Sequence, residues 1–178
     1  MKLLPGMIFC TNNDTWLSKT INAVQKFNAT DGQSKYAHAG IIINETGSTF
    51  ESLWSIRRAH LREYIGKEIL IGRHEAMTRP LFLKGWSNIA IHGGQGYPWW
   101  RLPLHLFKPI AKYASSGKFP VYSELACKFL KECGLVDEWR GKNPDDIADM
   151  IHKWRGWSVV FEGTLEDGQI EMPIPPCS

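Results

Sequence analysis

The chain lacks the features of several large classes of protein. No stretch approaches the roughly 18 apolar residues of a membrane span. The N-terminal apolar run is short and is interrupted by Pro5 and Gly6, so no secretory signal peptide is predicted. The formal net charge is only +3 and the basic residues do not cluster, which argues against a nucleic-acid partner. We therefore expect a cytoplasmic protein that has no membrane span.

The chain lacks the cysteine spacing of the common cysteine-based sites. The four cysteines are Cys10, Cys127, Cys133 and Cys177. No two of them form a C-x-x-C pair, and no Cys/His group has the spacing of zinc ligands. The glycine-rich residues 93–96 lack the pattern of a phosphate-binding loop. The sequence therefore predicts free thiols, no metal site and no cofactor.

The length and composition fit a single globular domain. The chain has 178 residues, of which 43% are hydrophobic, enough to bury a sizeable core. We expect one domain over residues 1–165 and an irregular tail over residues 166–178, where three prolines fall and no periodicity remains. The eight tryptophans are more than expected for this length. They suit either an aromatic core or the wall of a pocket.

The hydrophobic pattern predicts short strands alternating with helices. Strands are expected at residues 7–10, 39–43, 48–53, 68–72 and 157–162, and residues 44–47 form the turn of a hairpin. Helices are expected after a sequence that resembles a capping box at residues 11–14, through much of residues 78–115, from Ser123 to a C-cap at Gly134, and from Asn143. The sequence thus predicts an α+β fold in which a small antiparallel sheet packs against helices.

His38 and Glu51 are the first candidate site residues. His38 begins an apolar strand and is flanked by the small residues Ala37 and Ala39. Glu51 lies on the neighbouring strand of the hairpin, within reach of the imidazole. A carboxylate that accepts a bond from one ring nitrogen fixes the tautomer and raises the basicity of the other nitrogen. Taken alone, these residues fit a structural histidine better than a catalytic one.

Residues 121–127 favour a catalytic interpretation of His38. They place a short polar cluster at the start of an apolar-periodic helix. A helix N-terminus offers unpaired N–H donors and a positive dipole, which favour a thiolate. A histidine on a strand that faces such a helix end is the arrangement of a papain-like thiol site. In this chain the position expected for the thiol holds Tyr122.

Several segments, taken in order, resemble a known family. They are residues 5–9 with 16–21, residues 36–41 and 49–52, and then residues 120–125, 130, 134–135 and 143–148. Together they resemble the permuted papain-like cysteine hydrolases of the NlpC superfamily, most closely its YiiX-type branch. The resemblance spans roughly residues 5–163. It implies a permuted papain-like fold in which the histidine strand precedes the nucleophile helix.

The resemblance also implies roles for individual residues. His38 matches the general base of the family and Glu51 the polar residue that orients it. The nucleophile motif of the family reads Cys-Ser-Glu-Leu, and the same frame here begins with Tyr122. Enzymes of this kind cleave amide or ester bonds in peptides, peptidoglycan fragments or lipid-like substrates through an acyl-enzyme. These substrate classes are the partners that the resemblance implies.

Tyr122 is the departure from the family that matters most. A phenol is almost wholly protonated at neutral pH, and ionising it there costs roughly 4 kcal/mol. Its ring would also fill the space meant for a substrate carbonyl. We therefore expect a cysteine-hydrolase scaffold that is inactive in this form. The alternatives are a non-catalytic module that binds a lipid or peptide in the same cleft and, with less support, a purely structural protein.

No other residue is predicted to replace the thiol. Ser123 is explained by a helix N-cap role, and Cys10 and Cys127 by burial in the core. The remaining histidines lack the spacing of metal ligands, so we expect packing or surface roles for His60, His74, His92, His105 and His152.

Overall fold

The computed structural model describes residues 1–12, 35–53, 55–94 and 123–171. These residues form six strands and three α-helices, which confirms the α+β class. In chain order the elements are β1 (Ile8–Thr11), β2 (His38–Ile42), β3 (Ser48–Ser52), β4 (Ile56–His60), β5 (Glu68–His74), α1 (Arg79–Ile89), α2 (Ser123–Glu132), α3 (Pro144–Lys153) and β6 (Trp157–Thr164). Short 3-10 helices cover Leu61–Tyr64 and Ala90–His92. No helix in the described ranges is long and apolar enough to cross a membrane.

The strands form one antiparallel sheet in the order β4-β3-β2-β1-β5-β6. β1 lies between β2 and β5, so Ile8 pairs with Ile41 on one side and with Gly72 on the other. The five predicted strands are all present, with ends shifted by a few residues. β4 was not predicted, because its residues IRRAH show little apolar alternation and it lies at the edge of the sheet.

The sheet is buried on both faces. On one, the helix face, side chains of β1, β2 and β5 pack against the helices through residues such as Ile8, Ala39, Leu125, Phe129 and Ile151. On the opposite face, alternate residues of the same strands pack against the chain termini and the first 3-10 helix. Because neighbouring residues of a strand point to opposite faces, each central strand supplies both cores. This explains why these strands are nearly continuous apolar runs.

Three of the predicted helix ends are confirmed. The Thr78 side chain accepts a hydrogen bond from the backbone N–H of Leu81. Asn143 and Asp146 form a reciprocal capping box at the start of α3. Gly134 follows α2 with a φ of 79°, the left-handed conformation that glycine adopts most readily.

Two predicted caps are wrong. Thr11 belongs to β1, and its hydroxyl donates to the carbonyl of Glu68 at 2.8 Å. Ser123 is the first residue of α2, and its hydroxyl donates to the carbonyl of Lys142 at 2.5 Å. Both residues are buried, and each hydroxyl bonds a carbonyl from a distant segment instead of capping a helix.

Some predictions fall outside the described residues or remain open. The helix expected after residue 14, the helical segment beyond residue 94 and four of the eight tryptophans lie outside. Residues 166–171 contain no helix or strand and adjoin the N-terminus: the amino group of Met1 donates to the carbonyl of Gln169. The division of the chain near residue 165 stays a prediction.

Candidate active site

His38 lies in an aromatic environment on the opposite face of the sheet. It is the first residue of β2 and is only 1% exposed. It pairs with Thr11, two residues along the strands from the Phe9–Gly40 pair, which lies on the same face. The Phe9 ring meets the imidazole edge-on at a centroid distance of 5.8 Å, and the Tyr64 ring stacks on it at 6.0 Å. The ring of His38 is therefore held on two sides.

Glu51 contacts the imidazole directly. Its Oε2 lies 3.1 Å from Nε2 of His38, and its side chain is fully buried. The contact follows from the hairpin, because Glu51 pairs with Gly40, two residues after His38 on the neighbouring strand. The predicted proximity of the two residues is thus present in the structure.

Two residues that the sequence analysis did not single out hold the Glu51 carboxylate. The Tyr64 hydroxyl donates to Oε2 at 2.7 Å. Arg57, which pairs with Glu51 across β3 and β4, donates to Oε1 from Nε at 3.1 Å and approaches it with Nη2 at 2.8 Å. Nη2 of Arg57 also donates to Glu63 at 2.7 Å. Both oxygens of this buried carboxylate therefore accept a hydrogen bond, Oε1 from Arg57 and Oε2 from Tyr64, and Oε2 also contacts the imidazole.

These donors decide the charge of Glu51. Burial alone would raise the pKa of its carboxyl, but the hydrogen bond and charge of His38, the Tyr64 hydroxyl and the charge of Arg57 outweigh burial, so the pKa is lowered. Burial and the neighbouring Glu51 raise the pKa of Tyr64, so its hydroxyl keeps its proton. Glu51 is therefore an ionised acceptor at neutral pH.

An ionised Glu51 fixes the tautomer of His38. A carboxylate can only accept, so Nε2 must carry the proton of the neutral ring, and Nδ1 keeps its lone pair. Nδ1 is buried and has no hydrogen-bond partner among the described residues. A buried polar atom without a partner is costly and calls for an explanation. The arrangement suits a base whose free nitrogen meets another group.

Gly40 allows the close packing around this pair. A Cβ atom at Gly40 would lie 2.6 Å from Cε1 of Phe9 and 3.1 Å from Cβ of Glu51. The first distance is shorter than real Cβ contacts, so even alanine would push the Phe9 ring away. Glycine is thus the residue that lets Phe9 and Glu51 approach each other.

α2 begins at the same end of the sheet as His38. Cys10 of β1 pairs with Ala39, and its thiol lies 3.7 Å from the carbonyl of Pro144. The carbonyl of the nearby Lys142 accepts from Ser123, the first residue of α2. The next residue, Glu124, is fully buried and accepts from the N–H of Gly141 at 3.0 Å. The serine and glutamate of the motif thus fasten the helix start to the loop before α3.

The helix that follows Tyr122 and the His38–Glu51 pair lie on different faces of the sheet. α2 packs on the helix face, whereas the strand register places His38 and Glu51 on the opposite face. Tyr122 precedes Ser123 and lies outside the described residues. That His38 and Tyr122 face each other across one cleft therefore stays a prediction.

The described cysteines are poor nucleophiles. Cys10, Cys127 and Cys133 are free and buried. Burial raises the pKa of Cys127 to about 12 and that of Cys133 to about 11, and it raises the pKa of Cys10 well above its usual range. Their thiols stay protonated at neutral pH, as a core role requires. Cys177 lies outside the described residues.

The other described histidines have structural partners. His60 and His74 each accept a backbone N–H two residues ahead through Nδ1, at 3.1 Å and 3.2 Å. His92 contacts Lys128 at 2.8 Å, and His152 contacts Glu162 at 3.0 Å. His105 lies outside the described residues. Within the described part of the chain, no three His, Cys, Asp or Glu side chains are grouped so as to hold a metal ion.

Comparison with known proteins gives a likeness of fold. No protein-family model matches the chain, and no curated protein matches it. The chain is similar to the crystal structure of the metalloprotein YiiX from Escherichia coli O157:H7, with a TM-score of 0.55 and 16% sequence identity. The alignment covers 92% of this chain and 99% of that one. At this identity the match supports a YiiX-like α+β fold and no particular chemistry.

Proposed function

We propose that this chain is a permuted papain-like domain of cysteine-hydrolase type, inactive because Tyr122 occupies the nucleophile position. The observation that carries the proposal is the buried His38–Glu51 pair, whose Nε2–Oε2 distance is 3.1 Å and whose Nδ1 has no partner among the described residues. A thiol at position 122 would complete a Cys-His-Glu site, with His38 as base and Glu51 as the residue that orients it.

The chemistry of the complete site would be acyl transfer. Nδ1 would take the proton of the thiol, and the thiolate would attack the carbonyl carbon of an amide or ester. The imidazolium would return the proton to the leaving amine or alcohol, and water would then hydrolyse the thioester. A peptide, a peptidoglycan fragment or a lipid-like ester could each supply the carbonyl.

Two features support an inactive state for the present chain. A phenol at position 122 does not ionise readily near neutral pH. In addition, His38 is 1% exposed, so little of the imidazole is open to a substrate in the unaltered protein. The unaltered protein should therefore not hydrolyse amide or ester substrates.

The test restores the thiol. In Tyr122→Cys the new thiol should have a pKa below the roughly 8.5 of a free cysteine, because both the helix N-terminus and an imidazolium favour the thiolate. At mildly acidic to neutral pH, iodoacetamide should label it about tenfold faster than the thiol of Ser158→Cys, an exposed position on β6. Hydrolysis of a p-nitrophenyl ester by Tyr122→Cys would show in addition that the thiol can act as a catalytic nucleophile.

A second substitution ties the reactivity to the proposed base. Adding His38→Ala to Tyr122→Cys should slow the labelling, whereas adding His152→Ala should not. His152 is a suitable control, because it also contacts a glutamate but lies on the protein surface. A thiol at position 122 that labels like the one at position 158, and is indifferent to His38, would contradict the proposal.

A further inference from the structure

We infer that Arg57 and Tyr64 are positioning residues that keep Glu51 an acceptor and thereby hold the proton of His38 on Nε2. A positioning role in catalysis rests on the proposed function, but the tautomer of His38 can be measured in the unaltered chain. Neither residue touches the imidazole nitrogens; both act through the carboxylate of Glu51.

The contacts of the Glu51 carboxylate fix its orientation. A carboxylate offers about four lone-pair directions. At Glu51, Oε1 accepts from Nε of Arg57 and lies 2.8 Å from its Nη2, while Oε2 accepts from the hydroxyl of Tyr64 and lies 3.1 Å from Nε2 of His38. Arg57 and Tyr64 therefore hold both oxygens in place, with Oε2 facing the imidazole. The carboxylate therefore cannot rotate without breaking a bond to Arg57 or Tyr64.

The negative charge of Glu51 needs compensation by neighbouring groups. The Glu51 side chain is fully buried, and an isolated carboxylate there would take up a proton. Arg57 supplies the compensating positive charge from a position that is 40% exposed, so its guanidinium remains hydrated while it reaches inward. Tyr64 supplies a neutral donor that strengthens the ionised form.

The protonation state of Glu51 decides the tautomer of His38. If Glu51 became protonated, its carboxyl could donate to Nε2, and the single proton of the neutral imidazole would then reside on Nδ1. A ring in that tautomer has no lone pair on Nδ1 and cannot accept a proton there. Arg57 and Tyr64 therefore decide which nitrogen is the base, although neither would touch a substrate.

The experiment reads the tautomer of His38 by 15N NMR of the side-chain nitrogens. In Arg57→Met the ratio of the Nδ1–H to the Nε2–H tautomer of the neutral ring should rise about tenfold or more. Arg57→Lys keeps the positive charge but not the paired N–H donors, so it should restore the ratio only in part. Tyr64→Phe keeps the stacked ring and should shift the ratio in the same direction by less. Thermal unfolding of each variant establishes that it is folded.

The chain offers matched controls in a second cluster. Glu162 accepts from Tyr36, Lys35 and His152, as Glu51 accepts from Tyr64, Arg57 and His38. Lys35→Met and Tyr36→Phe should leave the tautomer of His38 unchanged. Folded Arg57→Met and Tyr64→Phe proteins that keep the proton of His38 on Nε2 would overturn the inference. If Arg57→Met does not fold, Tyr64→Phe decides alone.

The two proposals can fail separately. A tautomer that moves with Arg57, together with a Tyr122→Cys thiol indifferent to His38, would support the positioning role and contradict the hydrolase-type function. If the Tyr122→Cys thiol is reactive and depends on His38, but the tautomer of His38 does not change in Arg57→Met, the hydrolase-type function is supported and the positioning role is contradicted. The NMR measurement is made on the unaltered chain, so it needs no thiol at position 122.

Discussion

Two histidine–glutamate pairs in this molecule have nearly the same contact distance and opposite surroundings. His38 and Glu51 are 3.1 Å apart with side chains 1% and 0% exposed, whereas His152 and Glu162 are 3.0 Å apart with both side chains 35% exposed. Each glutamate also accepts from a tyrosine and from a basic residue. The distance alone therefore does not distinguish a structural surface pair from a candidate site.

Burial is what gives the first pair its chemical properties. At the surface, water and salt screen the charges, and a lost bond is replaced by one to water. In the interior no such replacement exists, so the donors to Glu51 must all come from the protein. The same contact thus fixes a tautomer in the interior and has little consequence at the surface.

The largest expected difference between the pairs is in stability. Glu51→Ala should destabilise the protein by about 3–5 kcal/mol, because the buried hydroxyl of Tyr64 and the buried Nε2 of His38 lose the carboxylate that they contact. Glu162→Ala should cost less than about 1 kcal/mol. Urea unfolding of the two variants measures both values, and equal losses would remove the distinction between the pairs.

A smaller difference is expected in the response to acid. The pKa of Glu51 is held below its ordinary value of 4.5 in the folded protein. A carboxyl of this kind contributes stability that is fully present above its unfolded pKa and is lost as pH falls through the folded pKa. The pKa of Glu162 is lowered too, first by its bond to His152, but solvent screens that contribution.

Unfolding free energies at pH 7 and near pH 4 test this difference. The loss of stability between the two pH values should shrink in Glu51→Gln and remain nearly as large in Glu162→Gln. A larger reduction in Glu162→Gln would show that the surface pair, and not the buried one, dominates the acid response.

The sequence was sufficient to bring His38 and Glu51 together, because both lie on a hairpin whose turn sets the register. It did not reveal Arg57 or Tyr64. Arg57 lies on β4, a polar edge strand without clear alternation, and Tyr64 on a 3-10 helix of four residues. Neither short element has a periodic pattern that local sequence could show.

Long-range pairing accounts for the other failures. β1 lies between two strands that follow it in the chain, and this placement puts Phe9 and Thr11 beside His38. The hydroxyl of Ser123 bonds a carbonyl nineteen residues ahead, which no capping rule anticipates. The face of the sheet on which a side chain lies also depends on such pairings, and it separates His38 from the face that α2 covers.

The tautomers of His38 and His152 in the unaltered protein give the sharpest comparison of the two pairs. In the neutral imidazole of His38, side-chain 15N NMR should show the proton on Nε2 and a lone pair on Nδ1, in a single state without exchange. His152 should average between forms, because water competes for both of its nitrogens. A neutral His38 with its proton on Nδ1, or one that averages as His152 does, would contradict the account of His38 as a prepared base.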